Sequence, residues 1–421
     1  MRNPSVVISG TGSLASAGVG SSAVWESVRD GRIERSDRVY LMGDGNERRY
    51  PVYSAPELDL RDWVLPADYG WLSGEGLHED RDFVMAVAAA VMAMDEAGLT
   101  EGDRQDTGLI LGHENLGVNR LIDRILTSST YAESGSPFLS TDPEGAFAEY
   151  RDSFYRLQSF PYLFYMAKAL RIRGMTLVIN NACATGLYAL EAGSQLIRSG
   201  RAARVVVTCS DYAHLTEHLW LEGKSFGSAC GSLKPYDINR DGSVLGDGAA
   251  AVVLEAGSQA GLRPDRIIAS YAGAAFRQDT WHLTLPDAVS HTYAETIRLA
   301  AEDGSGKPID LIAPHGTGNA LWDKYEAAQL RRAFGTVPPV TAFKGCIGHT
   351  LGANALLETI LLLHCMRDSL IPAAAGCDEP DPKLELPVVT KARSCRLDRV
   401  MKAVPAYGGF MAAAVFEQVD R

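Results

Sequence analysis

The sequence predicts an α/β protein that contains one strand-and-helix unit twice. Two observations support this prediction. Short apolar segments of strand length alternate with helical segments, which favours mainly parallel sheets covered by helices on both faces. The segment that ends the first half, GDGAAAVVLEAG, also resembles the segment that ends the second half, GGFMAAAVFEQV. We therefore predict an internal duplication with copies at residues 1–258 and 259–421, and a boundary near Ala256 to Pro264.

The strands and helices of the first copy are interrupted by two irregular stretches. Residues 31–80 lack a sustained period, and residues 115–160 are polar and aromatic, so we predict an insertion over the core there. The predicted elements are strands at 6–9, 107–112, 177–179, 205–209 and 249–254, and helices at 24–29, at 83–97 before Gly98, and from Ala184 to a C-cap at Gly200.

The second copy follows the same order. Its predicted elements are strands at 267–269, 310–313, 404–407 and 412–416, and an apolar helix at 353–366.

Composition restricts the class of protein. The 46% apolar and 22% charged content is typical of a soluble globular chain. A net charge of −12 argues against nucleic-acid and anionic-membrane partners. The seven cysteines form no CxxC pair and the chain begins without a signal-peptide pattern, so we predict reduced thiols and a cytoplasmic protein.

Cys183 follows an apolar strand and precedes a helix rich in small residues. Ala184, Gly186, Ala189 and Gly193 are spaced as on a helix that other backbone approaches closely. A sulfur at the amino end of a helix has a lowered pKa and is more often the nucleophilic thiolate. We therefore expect Cys183 to be a nucleophile, with an ordinary packed core cysteine as the alternative.

Two histidines stand in Gly-rich turns after apolar strands. His315 lies in LIAPHGTGNALWDKYEAAQL and His349 in VTAFKGCIGHTLGANALLE. Such turns place side chains at the carboxyl ends of strands, where open α/β sheets hold their sites. A lone histidine in a turn is usually structural. Two histidines that, like Cys183, stand just after an apolar strand predict a shared site.

Several motifs together resemble the β-ketoacyl synthase family, the elongating condensing enzymes of the thiolase fold. They are NNACATG, KPYDINRDGSVLGDGAAAVVLE, APHGTGNALWDKYE and KGCIGHTLGANALLE, with VVISGTG, HEDRDF, DTGLILG and IPAAAGCDEPDP. The resemblance runs in order over nearly the whole chain. It implies the duplicated five-layered α-β-α-β-α sandwich of the thiolases, in agreement with the repeat.

The resemblance also implies roles for single residues. Cys183 matches the acyl-accepting nucleophile, and His315 and His349 match the two active-site histidines. Lys344 matches the lysine before the second histidine, and Glu326 lies where it could pair with that lysine. Thr317 belongs to the HGTG turn as a supporting residue.

The remaining implied residues form a gate near the end of the chain. The backbone amides of Cys183 and Tyr407 would bind the oxyanion, and Gly408 and Gly409 would shape the gate. The family reads Gly-Phe-Gly-Gly-Thr-Asn here, whereas this chain has Tyr407 for the phenylalanine and Phe410-Met411 for Thr-Asn. We expect this departure to remove two polar groups near the site.

By this resemblance we expect a decarboxylative Claisen condensation in fatty acid or type II polyketide chain elongation. No cofactor or metal is expected, because phosphopantetheine arrives on an acyl carrier protein. The expected partners are that carrier and a second subunit, either an identical chain or a ketosynthase or chain-length-factor partner. Two alternatives stay open: a chain-length-factor-like subunit with little activity of its own, and a non-decarboxylating acyltransferase.

Two short patterns indicate rival functions. His214-Leu215-Thr216-Glu217-His218 matches the inverted zinc-peptidase pattern, although a third ligand is not evident. Gly10, Gly12 and Ala15 imitate a dinucleotide fingerprint, but the acidic residue that should follow a second strand is missing. We expect a solvated helix face and a tight turn instead.

Overall fold

A computed structural model describes residues 5–114, 118–128, 158–260 and 263–419. The predicted insertion at 115–160 therefore lies mostly outside the described residues. The strands are β1 Val6–Ala15, β2 Gly18–Val19, β3 Ser36–Leu41, β4 Glu47–Val52, β5 Thr107–Gly112, β6 Thr176–Ile179, β7 Arg204–Asp211, β8 Gly248–Ala256, β9 Ala269–Gln278, β10 Leu311–Ala313, β11 Leu370–Ile371, β12 Arg393–Ser394, β13 Arg399–Pro405 and β14 Phe410–Glu417.

The helices are numbered along the same described residues. They are α1 Ser21–Arg29, α2 Pro66–Gly74, α3 Arg81–Ala97, α4 Val118–Leu126, α5 Ser159–Leu170, α6 Thr185–Arg198, α7 Leu215–Lys224, α8 Gly257–Ala260, α9 Thr292–Glu302, α10 Ala320–Phe334, α11 Lys344–Ile347 and α12 Asn354–Asp368.

The main sheet repeats one pairing pattern. Its order is β10-β13-β14-β9-β1-β8-β7-β5-β6, with β2 on β1. In the first half, β8 lies antiparallel between β1 and β7, and β5 runs parallel to β7 and β6. In the second half, β14 lies antiparallel between β9 and β13, and β10 runs parallel to β13. The two AAAV strands, β8 and β14, thus occupy equivalent places.

The expectation of mainly parallel pairing is wrong, because the sheet is mixed. Four residues, 406–409, connect β13 to β14, and so short a connection can join only antiparallel neighbours. The halves meet where β1 pairs antiparallel with β9, through Val7 with Ser270 and Ile8 with Ala269. The division at residue 258 itself stays a prediction.

Residues 31–80 are also more regular than the sequence indicates. They include the antiparallel hairpin β3–β4 and the helix α2. Most side chains of the hairpin are at least partly exposed, so its sequence lacks the apolar alternation by which strands are recognised. No described helix is both long and apolar enough to cross a membrane.

Helices cover the sheet in layers. In the first half, α3 packs on one face of β1, β8 and β7, while α6 packs on β7 and β5. In the second half, α9 packs on β9 and β14, while α12 packs on β13 and on β8. The helices α6 and α12 also contact each other between the two half-sheets. This is the predicted five-layered α-β-α-β-α arrangement.

The glycines of the dinucleotide-like pattern have a packing role. A Cβ on Gly10 would lie 2.1 Å from the carbonyl oxygen of Ala93, and one on Gly12 equally close to that of Ala89. Both carbonyls belong to α3. The pattern therefore lets a helix lie directly on β1, and the expected tight turn is wrong because both residues lie inside the strand.

Gly186 determines how closely the two central helices approach. A Cβ on this residue would lie 2.5 Å from the backbone nitrogen of Leu356 and 2.9 Å from its Cβ. The expectation of close backbone contact along α6 is confirmed at this position. Cys183 lies just before α6, so this contact also places the sulfur.

We predict that Gly186→Ala lowers the free energy of unfolding by about 1–3 kcal/mol, because the added methyl group overpacks the contact with α12. The matched control is Gly223→Ala in α7, where the new Cβ would have no atom within 4 Å other than those of its neighbours and of the helix's own backbone. The control should be neutral or stabilise by up to about 1 kcal/mol. Urea unfolding monitored by circular dichroism measures both, and equal midpoints for the two variants would contradict the prediction.

Candidate active site

Cys183 lies in a sharp turn between β6 and α6. Ala182 has a φ of 49°, which L-residues other than Asn and Asp rarely adopt. Hydrogen bonds compensate for this conformation: the Asn181 amide donates to Thr185 Oγ1 at 2.8 Å, and Asn354 Nδ2 donates to the Cys183 carbonyl at 2.8 Å. The turn holds the thiol at the amino end of α6, buried at 5% exposure.

His349 occupies the corresponding turn in the second half, before α12. Its backbone amide donates to the carbonyl oxygen of Val244 at 2.9 Å, and its own carbonyl accepts from the Gly246 amide at 3.0 Å. Its Nδ1 accepts the backbone N–H of Leu351 at 3.0 Å. In the neutral ring the proton therefore resides on Nε2, which can donate.

His315 follows β10 and is held through its backbone. Glu326 Oε1 accepts the amide of His315 at 2.7 Å, and Oε2 accepts the amide of Gly316 at 2.8 Å. The same carboxylate accepts the hydroxyl protons of Tyr236 at 2.7 Å and Tyr293 at 2.9 Å. Glu326 thus fixes the HGTG turn.

The structure brings the three predicted side chains together. One ligand atom each of Cys183, His315 and His349 lies within 4.8 Å of the others. The two imidazole rings stand at 90° with their centroids 5.1 Å apart. Residues far apart in the chain therefore share one site, as the paired Gly-rich turns predict.

Lys344 does not pair with Glu326, which corrects the sequence prediction. Its Nζ lies 2.5 Å from Glu358 Oε1 and donates to the carbonyl oxygen of His315 at 2.7 Å. Glu358 lies on α12 within reach of Lys344, whereas the carboxylate of Glu326 is occupied by backbone amides and tyrosines. A second lysine, Lys402, lies 2.5 Å from the other oxygen of Glu358.

The pKa of Cys183 is raised well above its usual value, contrary to the prediction from its place at a helix end. Burial is the main cause, and the carboxyl group of Glu114 adds to it, while Lys344 opposes both. The partial charge of one helix end is too small to outweigh loss of water around a thiolate. The resting side chain is a thiol.

The two histidines are neutral, as the predicted chemistry requires. Burial lowers the pKa of His315 well below its usual range, and Lys344, His349 and Lys402 lower it further. Burial and Lys344 likewise lower the pKa of His349. The positive charge of the lysines also disfavours a metal ion among these three ligand-type residues. The expected absence of a cofactor stays a prediction.

Tyr407 lies at the predicted gate, inside a group of aromatic rings. Its ring is 5.3 Å from that of Trp220, 6.3 Å from Phe226 and 5.7 Å from Trp322, measured between centroids. Gly408 and Gly409 have φ values of 76° and 73°, and a Cβ on Gly409 would lie 1.7 Å from the Asp279 carbonyl oxygen. The double glycine is therefore needed by the turn. The amides of Cys183 and Tyr407 stay a prediction as oxyanion donors.

Phe410 and Met411 do not line the cavity. The Phe410 ring packs edge-on to Tyr188 at 5.8 Å, and Met411 is buried in the core of the second half. The change from Thr-Asn therefore places apolar groups in packing contacts behind the gate.

The site opens into a cavity of about 360 Å³. Thr317 and Asn319 lie on its wall with Tyr407, and the apolar side chains of Val118, Ile122 and Trp220 also line it. The amide of Thr317 donates to Asp323 Oδ1 at 3.0 Å, so this supporting residue is fixed by its backbone.

Glu114 is a cavity residue that sequence reasoning missed. Burial raises the pKa of its carboxyl group well above the usual range, helped by Asp211 and Glu217 and opposed by a hydrogen bond with Cys183. Its Oε1 is buried without a hydrogen-bond partner in the described part of the chain. Glu114 lies two residues beyond the end of β5, and this place just after a buried strand is the signal that could have identified it.

Histidines and carboxylates form a buried network beside Glu114. His214 lies 2.9 Å from Asp82 through Nε2 and 2.9 Å from Asp123 through Nδ1. Burial opposes charge on His214, but the hydrogen bonds to Asp123 and Asp82 prevail and raise its pKa to about 11. His218 instead stacks on Tyr50 at 4.8 Å. Because the two histidines make these separate contacts, they do not form a zinc site. The expected solvated helix face is also wrong, since both histidines are buried.

Comparison with known proteins identifies the class to which this arrangement belongs. Family models of the β-ketoacyl synthase N-terminal and C-terminal domains match residues 165–260 and 268–378. The tetracenomycin polyketide synthase ketoacyl synthase alpha subunit of Streptomyces glaucescens is 30% identical, over 97% of this chain and 96% of its own. Nodulation protein E of Rhizobium leguminosarum bv. trifolii is 28% identical over 98% and 99%.

Solved structures agree. The ishigamide ketosynthase/chain length factor superposes with a TM-score of 0.85 at 27% identity, covering 100% of both chains. A β-ketoacyl synthase from Burkholderia phymatum STM815 has the same fold, with a TM-score of 0.81 at 22% identity over 99% of this chain and 100% of its own. The chain belongs to the β-ketoacyl synthase family.

We predict that Glu114→Gln speeds alkylation of Cys183 by iodoacetamide roughly threefold to tenfold, in a series from pH 7 to pH 10, at those pH values that ionise the buried carboxyl group of Glu114 in the wild type. The carboxyl group of Glu114 raises the pKa of Cys183, and only the thiolate reacts, so removing the carboxyl group increases the reactive fraction. The rate is measured by mass spectrometry on the Cys183 peptide.

The control for this prediction is Glu302→Gln, which removes a carboxylate that is 59% exposed and pairs with Arg298. Its Cys183 should react at the wild-type rate. Equal rates in Glu114→Gln and the control would show that Glu114 does not influence the thiol.

Proposed function

We propose that this protein is a ketosynthase that joins an acyl thioester to a malonyl-type thioester, with loss of CO2, during chain elongation of a polyketide or fatty acid. The observation that carries the proposal is the meeting of Cys183, His315 and His349 in one cavity, inside a chain of the β-ketoacyl synthase family.

In the first step Cys183 takes the acyl group. Its sulfur attacks the thioester carbonyl, a new S–C bond forms, the bond to the carrier sulfur breaks, and the carrier thiol leaves with the proton that Cys183 gives up. Because the resting thiol is protonated, proton transfer accompanies the attack. The backbone amides of Cys183 and Tyr407 are our candidates for stabilising the oxyanion.

In the second step the extender loses CO2. The electrons of the broken C–C bond form an enolate, whose oxygen accepts hydrogen bonds from neutral imidazole groups. His349 supports this role, because its Nδ1 is occupied by the Leu351 amide and Nε2 is left to donate. The enolate carbon attacks the acyl carbonyl carbon on Cys183 and forms the new C–C bond, the bond from that carbon to the Cys183 sulfur breaks to release the β-ketoacyl carrier, and the sulfur takes up a proton from water.

The cavity supports an acyl substrate on a long, flexible arm. Val118, Ile122 and Trp220 provide apolar wall for a chain, while Thr317 and Asn319 offer polar groups toward the gate. We propose that the arm is phosphopantetheine on an acyl carrier protein, and that the protein itself holds no cofactor.

A second subunit is part of the proposal. The Streptomyces glaucescens relative is an alpha subunit, and the ishigamide protein is a ketosynthase/chain length factor. Here β6 lies at the end of the sheet, and Phe160, Phe164 and Met175 beside it are between 44% and 61% exposed. An edge strand flanked by apolar side chains supports burial against a partner, either an identical chain or a chain-length-factor subunit.

We predict that Cys183→Ala abolishes acylation by an acyl carrier protein, whereas His315→Ala and His349→Ala keep acylation and lose condensation by on the order of 100-fold to 1,000-fold, since each removes a donor to the enolate. The pure protein, alone and with a chain-length-factor subunit, is incubated with acyl and malonyl carrier proteins. Mass spectrometry then measures acyl-Cys183, β-ketoacyl carrier and CO2.

Cys230→Ala, which removes an exposed thiol outside the cavity, is the control and should behave as wild type. Acylation without CO2 would identify a non-decarboxylating acyltransferase. Activity that never requires Cys183 and appears only in the presence of another ketosynthase would identify a partner subunit of the chain-length-factor kind.

A further inference from the structure

Lys402 is a fully buried lysine whose ammonium group lies behind the HGTG turn. It projects from β13 and has no exposed surface. Its Nζ donates to the carbonyl oxygens of Ala313 at 3.2 Å and Pro314 at 2.8 Å, and lies 2.5 Å from Glu358 Oε2. The three named partners satisfy the three donors of the ammonium group.

Lys344 binds the next backbone carbonyl along the chain, that of His315. Its Nζ donates to the carbonyl oxygen of His315 at 2.7 Å and pairs with the other oxygen of Glu358 at 2.5 Å. Two ammonium groups on one carboxylate thus hold three consecutive carbonyls, those of residues 313–315. Buried charges are costly unless they are paired and hydrogen-bonded, so a surplus positive charge kept here indicates a role beyond packing.

We propose that Lys402 is a positioning residue for His315: it fixes the backbone that leads into the HGTG turn and so determines where the imidazole stands opposite Cys183. This inference rests on the proposed condensation. Lys402 does not line the cavity, so it acts through His315 and not on the substrate.

Lys402 also contributes to the charge around His315. The groups that face this histidine are Lys344 on α11, Lys402 on β13, His349 before α12 and Cys183 before α6, with Glu358 between the lysines and Glu326 on the backbone amide. Burial lowers the pKa of Lys402 to about 8, so in the acid range where His315 titrates the lysines and Glu358 sum to one positive charge. Loss of Lys402 removes it, and the imidazolium form of His315 then becomes easier to reach, so the pKa of His315 should rise.

The test is Lys402→Met, which keeps a long apolar side chain and removes the ammonium group. We expect acylation of Cys183 to persist while kcat for condensation falls on the order of tenfold to a hundredfold, with KM for the malonyl carrier nearly unchanged. The His315 resonance, assigned by its absence in His315→Gln, should titrate at higher pH in spectra of 13C-histidine-labelled protein.

A double variant separates position from charge. Lys402→Met with Glu358→Gln restores one net positive charge, so the pKa of His315 should return toward wild type while kcat stays low. If kcat recovers in the double variant, Lys402 acts only through its charge, and the proposal that it positions His315 is overturned. The control is Met401→Leu, a buried neighbour in β13, which should retain kcat.

An unchanged kcat and an unchanged His315 titration in Lys402→Met would also overturn the proposal. Thermal melting checks the fold, and if Lys402→Met does not fold, Lys402→Gln takes its place in the same measurements. Failure of both to fold would assign Lys402 to stability alone. If wild type itself makes no β-ketoacyl product, the condensation fails, and the chemical shift of the neutral His315 ring then tests the positioning: it should move in both Lys402→Met and the double variant but not in Met401→Leu, and an unmoved shift would overturn the proposal.

Discussion

The site depends on the close packing of two helices between the half-sheets. Gly186 on α6 allows the backbone at Leu356 on α12 to approach directly, and both helices begin at a turn that holds one reactive side chain. Asn354, the first residue of α12, donates to the carbonyl of Cys183. Each half of the duplicated fold therefore supplies one part of the site, and neither half holds the thiol and the imidazoles alone.

The buried charged groups beside these helices are arranged as strictly as the helices themselves. One carboxylate, Glu358, stands against two ammonium groups, and the positive charge left over lies behind the two imidazoles. Burial already disfavours imidazolium, and the lysines reinforce it. The same burial raises the pKa of Cys183, so one environment keeps both imidazole rings neutral and the thiol protonated.

Much of this could be predicted from the sequence. The repeat of the AAAV strands predicted the duplication, the family resemblance implied the layered fold, and the turns around Cys183, His315 and His349 predicted that these three residues meet. The direction of the strands was wrong, although the predicted strands at 404–407 and 412–416 leave only four residues between them, which is too few for a parallel crossover. The thiol pKa was wrong because burial, a property of the whole fold, outweighs the local helix end.

The partners of the buried charges were the least predictable feature. Glu358 ends the motif that begins at Lys344, yet the sequence alone favours Glu326, because Glu326 follows the HGTG turn. Lys402 stands in an apolar strand, VMKAVP, where a charged residue has no partner in sequence. Its contacts come from β10 and α12, which are distant in the chain. Only the three-dimensional arrangement relates them.

The aromatic neighbours of Tyr407 define what opening the proposed gate would cost. Its ring has three aromatic neighbours, and each such contact contributes about 0.5–1.5 kcal/mol beyond simple burial. For the ring to turn aside, contacts worth about 2–4 kcal/mol in total must be given up. Without bound substrate, the open conformation would then be populated by roughly one molecule in thirty to one in a thousand. A substrate that passes the proposed gate must supply that difference from its own binding energy.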